Sequence, residues 1–451
     1  MIFLVWFKAG PLFEDSDKLR NAYNEKLVSP LEAVSIIKSG DNIIVPPGAA
    51  EPEVLMDALA DRKNDLKDVR IHQMLPLREA TYLKPGMERQ FRHVSWLTSS
   101  VVKRGVKEGR AGVMPGYLYE YPKFIQELDV DVFMGMVSPM DEHGYFSFGV
   151  SVDYTIAAAG CAKKVILVVN PNMPRTMGYS YIHISQADML VEDNTPLLEI
   201  QKPVTTKTDL TIGDYVCELV DDGSTIQLGL GFIANAAAQC LGVKKGLGVH
   251  SHFITDTIVD LVECGAITNR RKNIHAGKII CSSAVGTKRL YRFMHNNPLF
   301  EMHAVSYTNN PMNIAKNEKM VAINSVDEID LLGQCASEPI GPKLYSGTGE
   351  QVDFARGAMN SSEGKSIVVL HSTHKGRSKI VPMLESGSVV SLSRNDVDYV
   401  VTEYGIAKLR GKTYRQRAEA LTAIAHPDHR DGLTEAAKSL ASPGNIKLIL
   451  I

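Results

Sequence analysis

Two stretches of this chain, Ser39–Leu59 and Asp222–Leu241, carry the same order of features: a glycine that stops a helix, a short apolar strand, a glycine turn and a new helix. The matching glycines, Gly40 with Gly223 and Gly48 with Gly231, both lie 183 positions apart. A strand that enters a helix through a glycine turn is the building unit of parallel sheets, so its repetition predicts an α/β protein with two similar open-sheet α/β domains. A chain of 451 residues is long enough for two such cores.

The pattern between the repeats agrees. Ser29 before Pro30-Leu31-Glu32 reads as an N-cap with proline at the first helical position. Val130–Met136 is a continuous apolar strand ending in the turn Val137–Gly144, and a helix over Asp153–Ala162 leads to a second apolar strand, Lys164–Asn170. This βαβ unit implies a largely parallel sheet, with ligands outside the C-terminal ends of its strands. Residues 192–210 are polar, contain two prolines and read as a linker. Met320–Asn324, Ser366–Leu370 and Val397–Val401 read as later strands, and Tyr414–Ile424 as a closing helix. The expected divisions are an arm at 1–28, an N-terminal α/β domain at 29–205, a C-terminal one at 206–435 and a tail at 436–451.

A net charge of −2 leaves no electrostatic footprint for nucleic acid. The six cysteines include no C-x-x-C pair and read as free thiols in a reducing compartment. The apolar run Met1–Phe7 is too short to span a membrane and lacks a cleavage pattern, and Glu14, Asp15 and Asp17 argue against a basic transit peptide. The expected location is the cytoplasm, with mitochondria left open for a eukaryotic source, and no membrane partner.

Four places carry candidate chemistry. Gly229-Leu230-Gly231 between strand and helix is a candidate phosphate loop, where backbone amides and the helix dipole face an anion. It lacks the third glycine of a dinucleotide fingerprint, which argues against a nicotinamide cofactor. The Gly347–Gln351 loop either stabilises an oxyanion or is simply a tight turn. His250 and His252, two apart, would share one strand face; without a third ligand they read as polar histidines and no metal is expected. Glu403 follows a buried strand and is either a structural acceptor or a site acid.

Several segments together resemble the acetyl-CoA hydrolase/transferase family. They are Val137–Gly149, Asn170–Arg175, Gly229–Ala236, Gly248–Asp256, Glu328–Gln334, Ser346–Ala358, Arg394–Ala407 and Ile424–Asp428, in order from about Ser29 to Leu433. The resemblance implies two α/β CoA-transferase domains with the site between them and a homodimer. It implies acyl-CoA and small carboxylic acids as substrates, and no permanent cofactor, coenzyme A itself being a substrate. A glutamate would attack the thioester and carry CoA as a glutamyl thioester, which divides one hard exchange into easier steps. By the same resemblance Gly229, Leu230, Gly231, Phe232, Ile233, Ala234 and Asn235 would line the CoA site. Asn309 would face the thioester, Gly347 and Gly349 would offer oxyanion amides, Lys375 would approach the coenzyme, and Glu403 would support the site.

Two positions depart from the family pattern. In Gly248-Val249-His250-Ser251-His252-Phe253, His252 stands where the nucleophilic glutamate is expected. An imidazole forms no glutamyl thioester, and an acyl-imidazole is readily hydrolysed. The second is Glu350, where the loop usually has another glycine; it is either a substitute carboxylate or a side chain turned to solvent. The expected function is therefore an acyl-CoA:carboxylate CoA-transferase for short acyl groups such as acetyl, butyryl or 4-hydroxybutyryl. The alternatives are a catalytically impaired CoA-binding paralogue and an acyl-CoA hydrolase with His252 as general base.

Overall fold

Each repeated unit supplies the strand about which one sheet is laid out. The computed structural model describes residues 16–341, 343–344 and 346–441. The N-terminal sheet runs in the order Ala111–Val113, Phe91–Leu97, Val69–Met74, Asn42–Ile44, Val132–Val137, Lys164–Val169, Met189–Glu192, with every neighbour parallel. The C-terminal sheet runs Gly248–Val249, Thr225–Leu228, Met320–Ser325, Lys365–Val369, Tyr399–Thr402, Gly405–Lys408, and only its last pair is antiparallel. The protein is thus α/β with two open, mainly parallel sheets.

In both sheets the first strand has the next strand on one side and later strands on the other. Chain order therefore reverses beside Asn42–Ile44 and beside Thr225–Leu228, which opens a crevice at the C-terminal ends of those strands. The two glycine turns sit at these places and are used differently. Gly48 (φ +63) is buried against Val285 and Leu77, whereas Gly231 (φ +137) is exposed at the start of the helix Phe232–Leu241.

Val132–Val137 is buried along its whole length, which is why its sequence shows no polar alternation. The strands Val69–Met74 and Phe91–Leu97 were not legible, because buried His72, Gln73, His93 and Ser95 interrupt their apolar pattern. Pairing explains part of this: His93 Nδ1 meets the Tyr82 hydroxyl at 2.8 Å and Gln73 Nε2 donates to the Pro46 carbonyl at 3.2 Å.

Three segments expected to be irregular contain helix. The arm contains a helix, Ser16–Lys26, fastened by buried Leu19 and by Lys26 Nζ donating to the Ile184 and Ala187 carbonyls; residues 1–15, with the apolar run Met1–Phe7, lie outside the described residues. The expected tail begins inside the helix Pro427–Ala441, while residues 442–451 lie outside the described residues. The linker ends at Thr206, whose hydroxyl accepts from Asp209 N while the Asp209 carboxylate accepts from Thr206 N, so a helix, Lys207–Leu219, already occupies its last residues.

One hydrophobic cluster draws residues from Leu19 to Val401 and so joins the two sheets into a shared core; a second gathers residues from Val326 to Leu433. Helix Lys207–Leu219 lies on helix Phe232–Leu241 through Gly213, where a β carbon would come within 3.0 Å of the Ala236 carbonyl carbon and oxygen. Backbone on both sides cannot yield cheaply, so the glycine sets how near the helix of the candidate phosphate loop can lie. Replacing Gly213 by Ala is expected to destabilise the protein by about 1–3 kcal/mol in urea unfolding, the usual cost of overpacking.

Candidate active site

The chain changes sheets within the histidine segment. Gly248–Val249 pairs with Thr225 and Ile226 at the edge of the C-terminal sheet, His250 bridges to Ile280, and Phe253–Ile254 pairs instead with Ser283–Ala284. The two imidazoles consequently do not share a face. His250 is fully buried, with Nε2 donating to the Thr308 carbonyl at 2.8 Å and Nδ1 accepting from Asn317 Nδ2 at 3.3 Å. Burial, with Lys272 nearby, pushes it down to about 3, so it is neutral.

His252 turns to the interior between two carboxylates and is 0% exposed. Its Nε2 is 2.5 Å from Asp153 Oδ1, and its Nδ1 is 3.2 Å from Glu350 Oε2. The second contact is ionic and off the N–H direction, so neither atom has an aligned hydrogen bond there. Burial opposes the charged ring, but the Asp153 hydrogen bond and the charges of Asp153 and Glu350 outweigh it and raise His252 to about 9. At neutral pH the ring is an imidazolium with no lone pair to act as a base.

Asp153 comes from the N-terminal half, just before the helix Thr155–Cys161, and its Oδ2 accepts from the Ser151 hydroxyl at 2.8 Å and the Ser283 hydroxyl at 2.5 Å. Ser151 also forms a bridge with Ser283, so the N-terminal turn is stitched into the C-terminal half. Glu350 does not turn to solvent, contrary to one of the two readings of its sequence position. Its side chain is only 12% exposed, and Gln227 Nε2 donates to Oε1 at 3.4 Å. Gln227 and Asn324 form a reciprocal amide pair, at 3.1 and 3.2 Å, across the strands Thr225–Leu228 and Met320–Ser325. Glu350 therefore sits at the crevice of the C-terminal sheet.

The Gly347–Gln351 segment is held by close backbone approach. A β carbon on Gly347 would come within 2.7 Å of the Trp96 carbonyl oxygen, which also accepts from the Tyr121 hydroxyl at 2.8 Å, and Gly349 has φ +66. Glu350 directly precedes the helix Gln351–Asn360. One turn on, Asp353 is buried, its Oδ2 accepts from Tyr119 N at 3.2 Å, and its carboxyl is raised well above the usual range, chiefly by burial, with the Glu350 charge adding to it. Asn309 is fully buried beside it, and among the described residues neither side-chain amide atom has an aligned partner.

The other expected site residues divide. At the glycine loop, Gly229 N donates to the Ile323 carbonyl at 3.0 Å, and Leu230 and Phe232 are 36% and 58% exposed. Ile233 is buried and Ala234 half-buried. No side chain caps the helix that starts at Phe232, which leaves its first amides free for an anion. The Asn235 side chain is engaged elsewhere: its Nδ2 donates to Thr205 Oγ1 at 3.1 Å and its Oδ1 accepts from Thr257 at 2.8 Å. Glu403 accepts from Ser372 N at 2.9 Å and from the Ser372 hydroxyl at 2.6 Å, the geometry of a structural acceptor. Lys375 is exposed at the tip of the hairpin formed by Thr373–His374 and Arg377–Ser378. Sequence reasoning missed Asp153, Gln227, Asn324 and Asp353. Their one signal was a polar residue inside or beside an apolar run, as in Thr225-Ile226-Gln227-Leu228.

Residues 13–200 match the acetyl-CoA hydrolase/transferase N-terminal domain, and residues 286–437 the C-terminal domain of the same name. The chain is 46% identical over 421 residues to the succinyl-CoA:cyclohexane-1-carboxylate CoA transferase of Geobacter metallireducens, covering 93% of this chain and 96% of that protein. It is also 46% identical over 420 residues to the 4-hydroxybutyrate coenzyme A transferase of Clostridium kluyveri, covering 92% and 98%. Among solved structures it is similar to RipA from Yersinia pestis, with a TM-score of 0.89, 35% identity and coverage of 94% and 99%.

The charge on His252 makes stability depend on pH. Its value is raised from 6.5 to about 9 on folding, so its contribution is complete below about pH 6.5 and is lost as pH rises through 9. His252→Ala leaves two carboxylates without their shared cation and is expected to cost about 3–5 kcal/mol at pH 6. Urea unfolding of both forms from pH 6 to pH 10 should show that gap narrowing with increasing pH.

Proposed function

Because the chain belongs to the acetyl-CoA hydrolase/transferase family, we propose that it is an acyl-CoA:carboxylate CoA-transferase for short acyl groups, with the Glu350 carboxylate as nucleophile. The relatives named above are CoA transferases, and the family also includes an acetyl-CoA hydrolase from Neurospora crassa. The observation that carries the assignment is the position of Glu350: a carboxylate at the crevice, partly open, 3.2 Å from the His252 imidazolium.

In this reading a Glu350 oxygen attacks the thioester carbonyl, the C–S bond breaks, and CoA leaves as thiolate while the acyl group remains on Glu350 as a mixed anhydride. The thiolate then attacks the glutamyl carbonyl, expels the donor carboxylate and forms a glutamyl-CoA thioester. An acceptor carboxylate repeats the two steps in reverse order, so no net proton is consumed and no resident cofactor is needed. The Gly347–Gly349 amides serve the oxyanion. The free amides at the start of the helix Phe232–Leu241, behind Gly229–Gly231, receive the coenzyme's phosphates. His252 supplies charge and position rather than general-base catalysis. A ring raised to about 9 binds its proton at neutral pH, which speaks against His252 as the general base of the hydrolase reading.

Six unpaired cysteines, two of them in the core, favour a reducing compartment such as the cytoplasm. Among the described residues no helix is long and apolar enough to cross a membrane. The homodimer follows from the family resemblance.

Intact-protein mass spectrometry after incubation with butyryl-CoA should find a CoA adduct that borohydride converts to the reduced side chain, with the modification on the peptide containing Glu350. Glu350→Gln is expected to abolish the adduct and lower acetate-dependent exchange by ~10³-fold or more. An adduct that persists in Glu350→Gln, or thiol release that needs no acceptor acid, would refute the proposal.

A further inference from the structure

Outside the acyl-transfer site, three side chains from two segments converge on one another. Glu301 and His303 flank Met302 at the end of the strand Phe300–Met302, and the alternation of an extended chain sends both to one face. His275 arrives from a separate turn, where its φ of +49 places a non-glycine residue in the left-handed region, a strained conformation that persists when the surroundings hold it. His303 Nε2 lies 3.0 Å from Glu301 Oε1, His275 Nδ1 lies 3.5 Å from Glu301 Oε2, and one ligand atom from each of the three falls within 4.8 Å of the others.

The spacing fits a small ion. Two ligand atoms bonded to a tetrahedral zinc at about 2.0–2.1 Å are about 3.3 Å apart, close to the separations of 3.0 and 3.5 Å from the two imidazoles to the two oxygens of the Glu301 carboxylate. The surroundings fit as well. His275 Nε2 is 2.6 Å from the Tyr307 hydroxyl, which directs its Nδ1 at Glu301, and the His303 ring is stacked on Tyr307 at 4.5 Å. A ligating histidine is ordinarily oriented in this way through its other nitrogen. The His303 side chain is 7% exposed but those of His275 and Glu301 are 22% and 28% exposed, so the cluster is open on one side to water.

We propose that His275, Glu301 and His303 form a binding site for one divalent transition-metal ion of the zinc class, with water in the fourth position. Two imidazoles and one carboxylate select such an ion over magnesium or calcium, which take oxygen ligands. Tyr307 is the positioning residue of the set.

The test uses the purified full chain, stripped with chelator, dialysed and titrated with Zn²⁺ by calorimetry and with Co²⁺ by visible absorption. One Zn²⁺ per chain is expected, and Co²⁺ should give the intense bands of a low-coordinate nitrogen and oxygen site. Glu301→Gln, which keeps the side chain's shape, and His303→Ala should each weaken Zn²⁺ binding by about a hundredfold, and Tyr307→Phe by about tenfold. Unchanged circular dichroism of Glu301→Gln confirms that the loss is not unfolding. Absence of bound Zn²⁺, or equal affinity in Glu301→Gln and His303→Ala, would overturn the proposal. Since metal content is the readout, the result does not depend on the CoA chemistry.

Discussion

The Asp153–His252–Glu350 contact is the interaction on which the site depends. A single imidazolium, wholly buried, lies between a carboxylate from the N-terminal half and one from the C-terminal half. Burying three charged groups is costly, and only their mutual attraction with the hydroxyls of Ser151 and Ser283 offsets the loss of water. The arrangement therefore requires the two halves to be docked. The shared hydrophobic cluster and the Ser151–Ser283 bridge secure that docking, and the Trp96 carbonyl packed against Gly347 holds the loop that carries Glu350.

This contact also turns two departures from the family pattern into one. Taken separately, a histidine in place of the expected glutamate looks like a loss, and a glutamate in a glycine loop looks like a surface accident. In space they are 3.2 Å apart. Two carboxylates at that distance would repel, and one would be forced to bind a proton. An imidazolium at 252 instead sets a positive charge beside the Glu350 side chain at the crevice. Under the proposed function, the carboxylate expected at 252 is supplied from 350.

Topology explains why the crevice is where it is. Both sheets reverse chain order beside their first strand, and Gly229, Gln227, Asn324 and Glu350 all belong to the reversal in the C-terminal sheet. Gly213 brings the helix Lys207–Leu219 close against the helix that follows the glycine loop, through a near approach to the Ala236 backbone. The N-terminal counterpart, Gly48, is buried and packed under Val285.

Much of the fold was legible in the linear chain, because periodicity, glycine turns and caps are local. The duplicated unit, the βαβ from Val132 to Val169 and the N-cap at Ser29 are set by residues that are neighbours in sequence. Strands with buried polar residues were hidden, since Gln73 and His93 look exposed until their partners are known. The site divided along the same line. His252 and Glu350 could be singled out as anomalies of a pattern, but their positions are 98 residues apart and Asp153 is 99 residues away on the other side. The charge on His252 is a property of those distances. Local sequence determined which segments would become strands, turns and helices; only tertiary contact decided that a histidine would be a buried cation and that Glu350 would face the crevice, because electrostatic energy depends on separation and burial, which are not local to the chain.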